Sequence, residues 1–252
     1  MKKNTVKEKL RAGKPALGTW LSLASPLAAE YMAQLGFDWL VVDTEHSPIG
    51  FETTIQCFQA ICTTPTMPLA RVAWNDPALI KRLLDGGAMG LVVPMVNSVE
   101  EAQRAVAAMK FPPKGIRSSG GGRCVVYGSD YFNWANDEVA VIVQIEHIEA
   151  VKRAREILSV PSVDAGYIGP NDLAVSMGLP PDGFVTHPDH AAAVMEVLKA
   201  AKEVGTPIGI HTFSAEHANM RVEQGFQFVA VGSEANFMRQ AAMAALKQLK
   251  RE

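Results

Sequence analysis

Val141-Ile-Val-Gln-Ile-Glu-His147 and, further on, Tyr167-Ile-Gly-Pro-Asn-Asp-Leu173 are the stretches whose reading decides the fold. Each is an apolar, strand-like run that stops on an acid, Glu146 in the first and Asp172 just past the second. A carboxylate at the end of a buried strand is costly unless something positive meets it. A helix-like segment separates the two runs, which lets both acids converge at one end of a parallel sheet. A hard divalent cation is the simplest partner for such a pair. The combination points towards an enzyme.

Working outward, the same unit recurs along the chain: apolar strand, loop, amphipathic helix, glycine, next strand. Eight candidate strands can be read, at Ala16–Leu23, Trp39–Val42, Met67–Arg71, Gly90–Pro94, Val139–Ile145, Val163–Ile168, Pro207–Ile210 and Phe226–Val231. Most are continuously apolar, as strands are when helices cover both faces of a parallel sheet. Ser25-Pro26 and Asp76-Pro77 pair an N-cap residue with proline at the first helical position. Ser98-Val-Glu-Glu101 reads as a capping box, and Gly36, Gly86, Gly205 and Gly225 stand where helices end. Strand and helix alternating in this way predict an α/β fold of the (β/α)8 TIM-barrel type, with residues 1–252 as one domain. A doubly wound open sheet is the alternative, but Leu23-Ala-Ser-Pro-Leu after the first strand is not the glycine-rich fingerprint that fold usually carries. Two segments break the rhythm: Phe111–Asn136, long and rich in glycine and aromatics, and Leu179–Pro188. In a barrel, long loops of this kind are expected at the catalytic face, as lids or subunit contacts.

Composition narrows the function classes. The 252 residues are 48% hydrophobic and carry a net charge of -2, with lysines and arginines dispersed except at the termini. That balance argues against a nucleic-acid footprint. No segment approaches the ~18 consecutive apolar residues of a membrane span, and no apolar run follows the N-terminal lysines. Cys57, Cys62 and Cys124 are odd in number and lack zinc-like pairing, so a reduced, cytoplasmic location is expected.

In a barrel the functional face lies at the C-terminal ends of the strands. Those ends carry Trp20, then Asp43 and His46, then Arg71, then Gln144 and Glu146, then Asp172, then His211 and Thr212, then Gly232-Ser-Glu234. Glu146 and Asp172 are the metal candidates, although both also suit the cap or first turn of a helix. A 2-oxo acid would supply further oxygens to a magnesium-like ion. His46 sits in Val42-Asp-Thr-Glu-His-Ser-Pro, among acids that would orient a proton carrier. Asp85 arrives near it from the end of the third helix. Arg71 closes an apolar run and needs an anion, either a substrate or a structural carboxylate. Gln144, two residues before Glu146, points to the same side of its strand. His147, His187, His190 and His217 read as surface or first-turn residues, and Ser214 as an N-cap.

At these positions the chain resembles the HpcH/HpaI aldolase family. The matching blocks are Gly18-Thr-Trp20, Val42-Asp-Thr-Glu-His46, Pro68-Leu-Ala-Arg71, Gly90-Leu-Val-Val-Pro-Met95, Gln144-Ile-Glu146, Ile168-Gly-Pro-Asn-Asp-Leu-Ala174 and Val231-Gly-Ser-Glu234. The resemblance implies a (β/α)8 barrel whose last helix is exchanged with a neighbouring subunit, in homo-oligomers that are hexamers built from dimers. It implies a class II pyruvate aldolase, a lyase that cleaves a 4-hydroxy-2-oxo acid to pyruvate and an aldehyde. Glu146 and Asp172 would hold Mg2+, Mn2+ or Co2+, with Gln144 close by. Arg71 would stabilise the enolate, and His46, paired with Asp85 and helped by Asp43, would move protons. Trp20 would line the pocket, the backbone near Ala174 would hold the pyruvate carboxylate, and His211 would contact substrate. A CoA-thioester lyase of the malyl or citramalyl type is the alternative, since it would reuse both carboxylates. The chain departs from the family pattern at Arg117-Ser-Ser-Gly-Gly-Gly-Arg123 and at Glu234, where aspartate is common. The first departure leaves the identity of the aldehyde open.

Overall fold

The computed structural model describes residues 2–180 and 186–250. Eight parallel strands close on themselves in chain order, β1 through β8, with β8 pairing back onto β1. The strands are β1 (Ala16–Leu21), β2 (Trp39–Asp43), β3 (Met67–Arg71), β4 (Gly90–Val93), β5 (Ala140–Ile145), β6 (Ala165–Ile168), β7 (Ile208–Thr212) and β8 (Phe228–Ser233). Around and between them run α1 (Thr5–Arg11), α2 (Pro26–Ala33), α3 (Phe51–Ile61), α4 (Pro77–Asp85), α5 (Val99–Met109), α6 (Tyr131–Glu138), α7 (Ile148–Lys152) and α8 (Ala154–Leu158). The series ends with α9 (Pro170–Ser176), α10 (Pro188–Val204), α11 (Ala215–Gln224) and α12 (Glu234–Gln248). The expected barrel is therefore present, with all eight strands close to their sequence positions.

The helix signals act as read. Ser25, Asp76 and Ser214 each accept a backbone N–H from the first turn of their helix. Ser98 accepts from Glu101 N, but the Glu101 carboxylate bonds Asn97 N at 2.6 Å, one residue earlier than a standard capping box places it. Gly205 and Gly225 end α10 and α11 in the left-handed conformation that suits glycine. Three strands run further than their hydrophobicity indicates, β2 by the single residue Asp43. β7 extends through His211 and Thr212, and β8 through Ser233, because pairing with a neighbour holds polar residues extended as well as apolar ones.

Inside the barrel, aromatic rings set the packing. Trp39 stacks on Phe228 with centroids 4.1 Å apart, Phe228 meets Tyr167 edge-on at 5.8 Å, and Tyr167 meets Trp20 at 5.7 Å. A Cβ at Gly18 would collide with the Trp39 ring, so glycine makes the room for this layer. Such ring pairs contribute about 0.5–1.5 kcal/mol each beyond area burial. The aromatic layer forms a solid floor beneath the C-terminal mouth.

At the opposite end α1, absent from the sequence reading, covers the barrel. Asn4 donates to Met89 O and Glu138 O, both at 2.8 Å, and Lys7 pairs with Asp164 at 2.8 Å. The long Phe111–Asn136 segment contains a 3-10 turn at Arg123–Tyr127 and the start of α6. Of the Leu179–Pro188 excursion, residues 181–185 lie outside the described residues. Cys57, Cys62 and Cys124 are free thiols. Among the described residues no helix is long and apolar enough to cross a membrane.

Candidate active site

A cavity of about 310 Å³ opens at the C-terminal mouth, lined by Trp20, Asp43, His46, Arg71, Gln144, Asp172 and His211 among others. These seven residues come from six strand ends, from β1 to β7, and no two neighbouring elements would suffice to build it. The strand-end reading thus brings most of its candidates into one space.

Arg71 is the centre of charge. Its Nε and Nη2 donate to the two Asp43 oxygens at 2.9 and 2.6 Å, a bidentate pair set by the direct register of the two residues across β2 and β3. The guanidinium lies 4.6 Å from the Trp20 ring centroid, and Glu45 Oε2 lies 3.1 Å from Nε. Burial works against the charge of Asp43, but the Arg71 hydrogen bond and charge outweigh it and hold its carboxyl below the usual range. Asp43 also accepts from the backbone N–H of Glu45 and His46, which fixes the start of the loop that carries them.

Glu146 is 2% exposed. Its Oε1 accepts from Met95 N at 2.8 Å, and its Oε2 accepts from Gln144 Nε2. Burial pushes its carboxyl up to about 7, with Asp172 and Glu45 adding repulsion. Glu45 is pushed up to about 7 in the same way, burial first, against the pull of Arg71. Gln144 Oε1 and Glu45 Oε2 are buried without a hydrogen-bond partner. Three mutually repelling carboxylates and an orphaned amide oxygen, facing one arginine already committed to Asp43, are a donor set that a hard cation fits. Gly169 belongs to the same construction: a Cβ there would press on the Glu146 carboxylate and the Gln144 amide. Asp172 stands in the first turn of α9, as the cap reading allowed, and is exposed to the cavity. Among the described residues no group of three or more His, Cys, Asp or Glu side chains could hold a metal unaided.

Other candidates fall differently. His46 is exposed at the rim, and the ion-pair partner within its reach is Glu45, at 3.8 Å. Asp85 is not beside it. Asp85 pairs with Arg117 at 2.8 Å, and Gly122 lies so close to Asp85 that a Cβ would clash with it. The expected His46–Asp85 pairing is thus absent within the chain, because the 111–136 segment folds over the end of α4 and supplies the cation first. Ala174 is fully buried inside α9 and does not line the cavity, where Asn171 and Asp172 of the same helix do. His190 stands in the first turn of α10, as read, and is buried with a ring nitrogen 2.9 Å from Pro170 O. Two contributors are not singled out by the sequence reading: Glu45, and Tyr167, whose hydroxyl accepts from Trp20 Nε1 at 3.1 Å. Glu234 accepts from Leu23 N at 2.7 Å and from Ser22 N, fastening the loop after β1 to the end of β8. The alternating acids of Asp43-Thr-Glu45 were a visible signal for the first. For Tyr167 there was none, whereas Glu234 stood at the end of the eighth strand.

The sequence profile of HpcH/HpaI aldolase/citrate lyase matches residues 16–241. The chain belongs to this family. It is an enzyme of the aldolase class, as the resemblance implied. It is 42% identical over 247 residues to a 4-hydroxy-2-oxo-heptane-1,7-dioate aldolase of Shigella sonnei, covering 96% of this chain and 93% of that one. A protein of the same name from Klebsiella pneumoniae is also 42% identical, with 96% and 92% covered. Among solved structures, an HpcH/HpaI aldolase/citrate lyase family protein from Burkholderia cenocepacia superposes with a TM-score of 0.93 at 36% identity, covering 97% and 98% of the two chains. The citrate synthase SbnG superposes with a TM-score of 0.86 at 27% identity, covering 96% and 95%.

Proposed function

We propose that this aldolase cleaves a 4-hydroxy-2-oxo acid to pyruvate and an aldehyde, reversibly, with a divalent metal held by Glu146 and Asp172. The observation that carries the reading is the placement of Arg71, Gln144 and Asp172 around one cavity, with the strained carboxylate of Glu146 behind it. Mg2+, Mn2+ or Co2+ in this donor set would act as a Lewis acid on the 2-oxo acid.

The chain's own groups account for the rest. Arg71 spends Nε and one Nη2 hydrogen on Asp43 and keeps its remaining N–H donors for the substrate. When the C3–C4 bond breaks, its electrons pass to C3 and the 2-oxo oxygen, and those donors already face the charge that develops. His46 at the rim takes the 4-hydroxyl proton, its loop held by Asp43. Return of a proton to C3 gives the pyruvate methyl. Gln144 holds the Glu146 oxygen in place, and Trp20 and Tyr167 close the floor against water.

The protein is further proposed to act as a homo-oligomer, a hexamer built from dimers, with α12 exchanged between subunits. In support, α12 leaves Met238, Met243 and Leu246 exposed with Leu249 just past its end, and α2 exposes Leu27 and Tyr31 with Leu35 just beyond it.

Incubating the purified protein with pyruvate in D2O and following the methyl signal by proton NMR tests the function without knowledge of the aldehyde. Loss of the signal with Mn2+ or Mg2+, blocked by EDTA and by Glu146→Ala, is expected. Absence of exchange with any divalent metal would sink the pyruvate reading and redirect work to CoA thioesters.

A further inference from the structure

The two sides of the cavity differ in chemistry. Asp43, Arg71, Gln144 and Asp172 face it from the β2, β3, β5 and β6 side. From the β7, β8 and β1 side come His211, Ser233, Trp20 and Ser22, none of which carries a fixed charge. The two hydroxyls on this side have protein partners: Ser22 Oγ lies 3.3 Å from Glu234, and Ser233 Oγ accepts from Asn236 N at 3.3 Å.

His211 does not. Its ring is wedged between Trp20, 6.3 Å away between centroids, and Phe213, 4.9 Å away. Among the described residues no group hydrogen-bonds either of its ring nitrogens. Burial, helped by the charge of Arg71, pushes its pKa down to about 4, so the ring is neutral under working conditions. A neutral imidazole offers one donor and one acceptor. Here both are left to whatever enters the cavity, and a ligand that ignores them forfeits those hydrogen bonds.

We propose that His211 reads the tail of the aldehyde, and that the β7–β8–β1 wall is an acceptor subsite selecting a neutral, hydroxylated aldehyde. The inference rests on the pyruvate-aldolase reading given above and names its second substrate by class. A hydroxyl both donates and accepts, so it matches the imidazole in either tautomer. An alkyl tail would leave the ring nitrogens unpaired. A carboxylate tail would find no cationic side chain on this wall, which His211, Ser233, Trp20 and Ser22 line. Arg71 is the sole arginine or lysine lining that cavity among the described residues, and it is held bidentately by Asp43.

The test compares aldol addition of pyruvate, with Mn2+, to glycolaldehyde and to propanal, which differ by a hydroxyl in place of a methyl group. Succinic semialdehyde serves as the carboxylated acceptor. The wild type should favour glycolaldehyde in kcat/KM over both others. His211→Leu should reduce the glycolaldehyde-to-propanal ratio by about tenfold, the scale of one neutral hydrogen bond, while His211→Gln, which keeps a donor and an acceptor, should retain most of it. The ratio is taken on a single preparation, so partial misfolding of a variant cancels. An unchanged ratio in His211→Leu, or a wild-type preference for succinic semialdehyde, would overturn the inference. Deuterium exchange into pyruvate by the wild type, which needs no acceptor, judges the aldolase reading separately. With exchange present and the ratio unmoved, the acceptor subsite alone is refuted.

Discussion

Two arginines in this barrel are built almost alike and do different work. Arg71 is bonded to Asp43 and lies 4.6 Å from the Trp20 ring; Arg117 is bonded to Asp85 and lies 4.3 Å from the Phe111 ring. What separates them is what remains once the aspartate is satisfied. The Arg117 side chain is 0% exposed, its neighbours are Tyr131 and Phe111, and its unpaired Nε is buried where no ligand reaches it. Arg71 faces a cavity, two further acids act on it, and it keeps spare donors. A buried ion pair becomes a site only when one partner is left with charge and space to spare.

The sharpest way to break the comparison is to remove each arginine. Arg71→Ala should lower kcat/KM for retro-aldol cleavage by about a thousandfold, the scale of losing a donor at developing charge. Its thermal midpoint should move far less than its turnover, and near-normal turnover would put Arg71 in the same class as Arg117. Arg117→Ala should cost about 2–3 kcal/mol in chemical denaturation, less than a fully buried pair because Asp85 is part-exposed. Deuterium exchange into pyruvate per folded molecule should survive it, and loss of exchange would give Arg117 a catalytic role. A smaller effect sharpens the cavity side: Gly169→Ala places a methyl against Glu146, so Mn2+ affinity by calorimetry should fall about tenfold while the fold is kept. Smallest, Asp85→Leu combined with Arg117→Met should recover most of the stability lost in Arg117→Ala, since a well-packed apolar pair can replace a buried ionic one. The matching swap at Asp43 and Arg71 should rescue no activity.

The same contrast marks how far the sequence carries. The positions of Glu146, Asp172 and Arg71 were legible because each closes or closely follows a continuous apolar run. Arg117 stands out in the sequence only as a departure from a motif, and its partner is not legible there because Asp85 lies 32 residues away on another element. His46 and Asp85 were paired by resemblance, and within the chain that ion pair is preempted. Strand ends were misjudged at His211 and Ser233 because hydrophobicity reports burial, whereas extension there is imposed by the neighbouring strand. The α1 cover was missed since Thr5–Arg11 carries alternating lysines and only two apolar anchors, Val6 and Leu10; its fixing bonds reach 85 and 134 residues along the chain.

Glu234 has a consequence for how the protein comes into being. Its carboxylate holds the backbone of Ser22 and Leu23, more than 200 residues earlier, so the rim beside Trp20 is fastened by the first residue of the last helix. On a ribosome, every candidate metal and enolate residue would emerge before the clasp that shapes that edge of the cavity. A nascent chain stalled ahead of Glu234 would hold its chemistry but not its doorway.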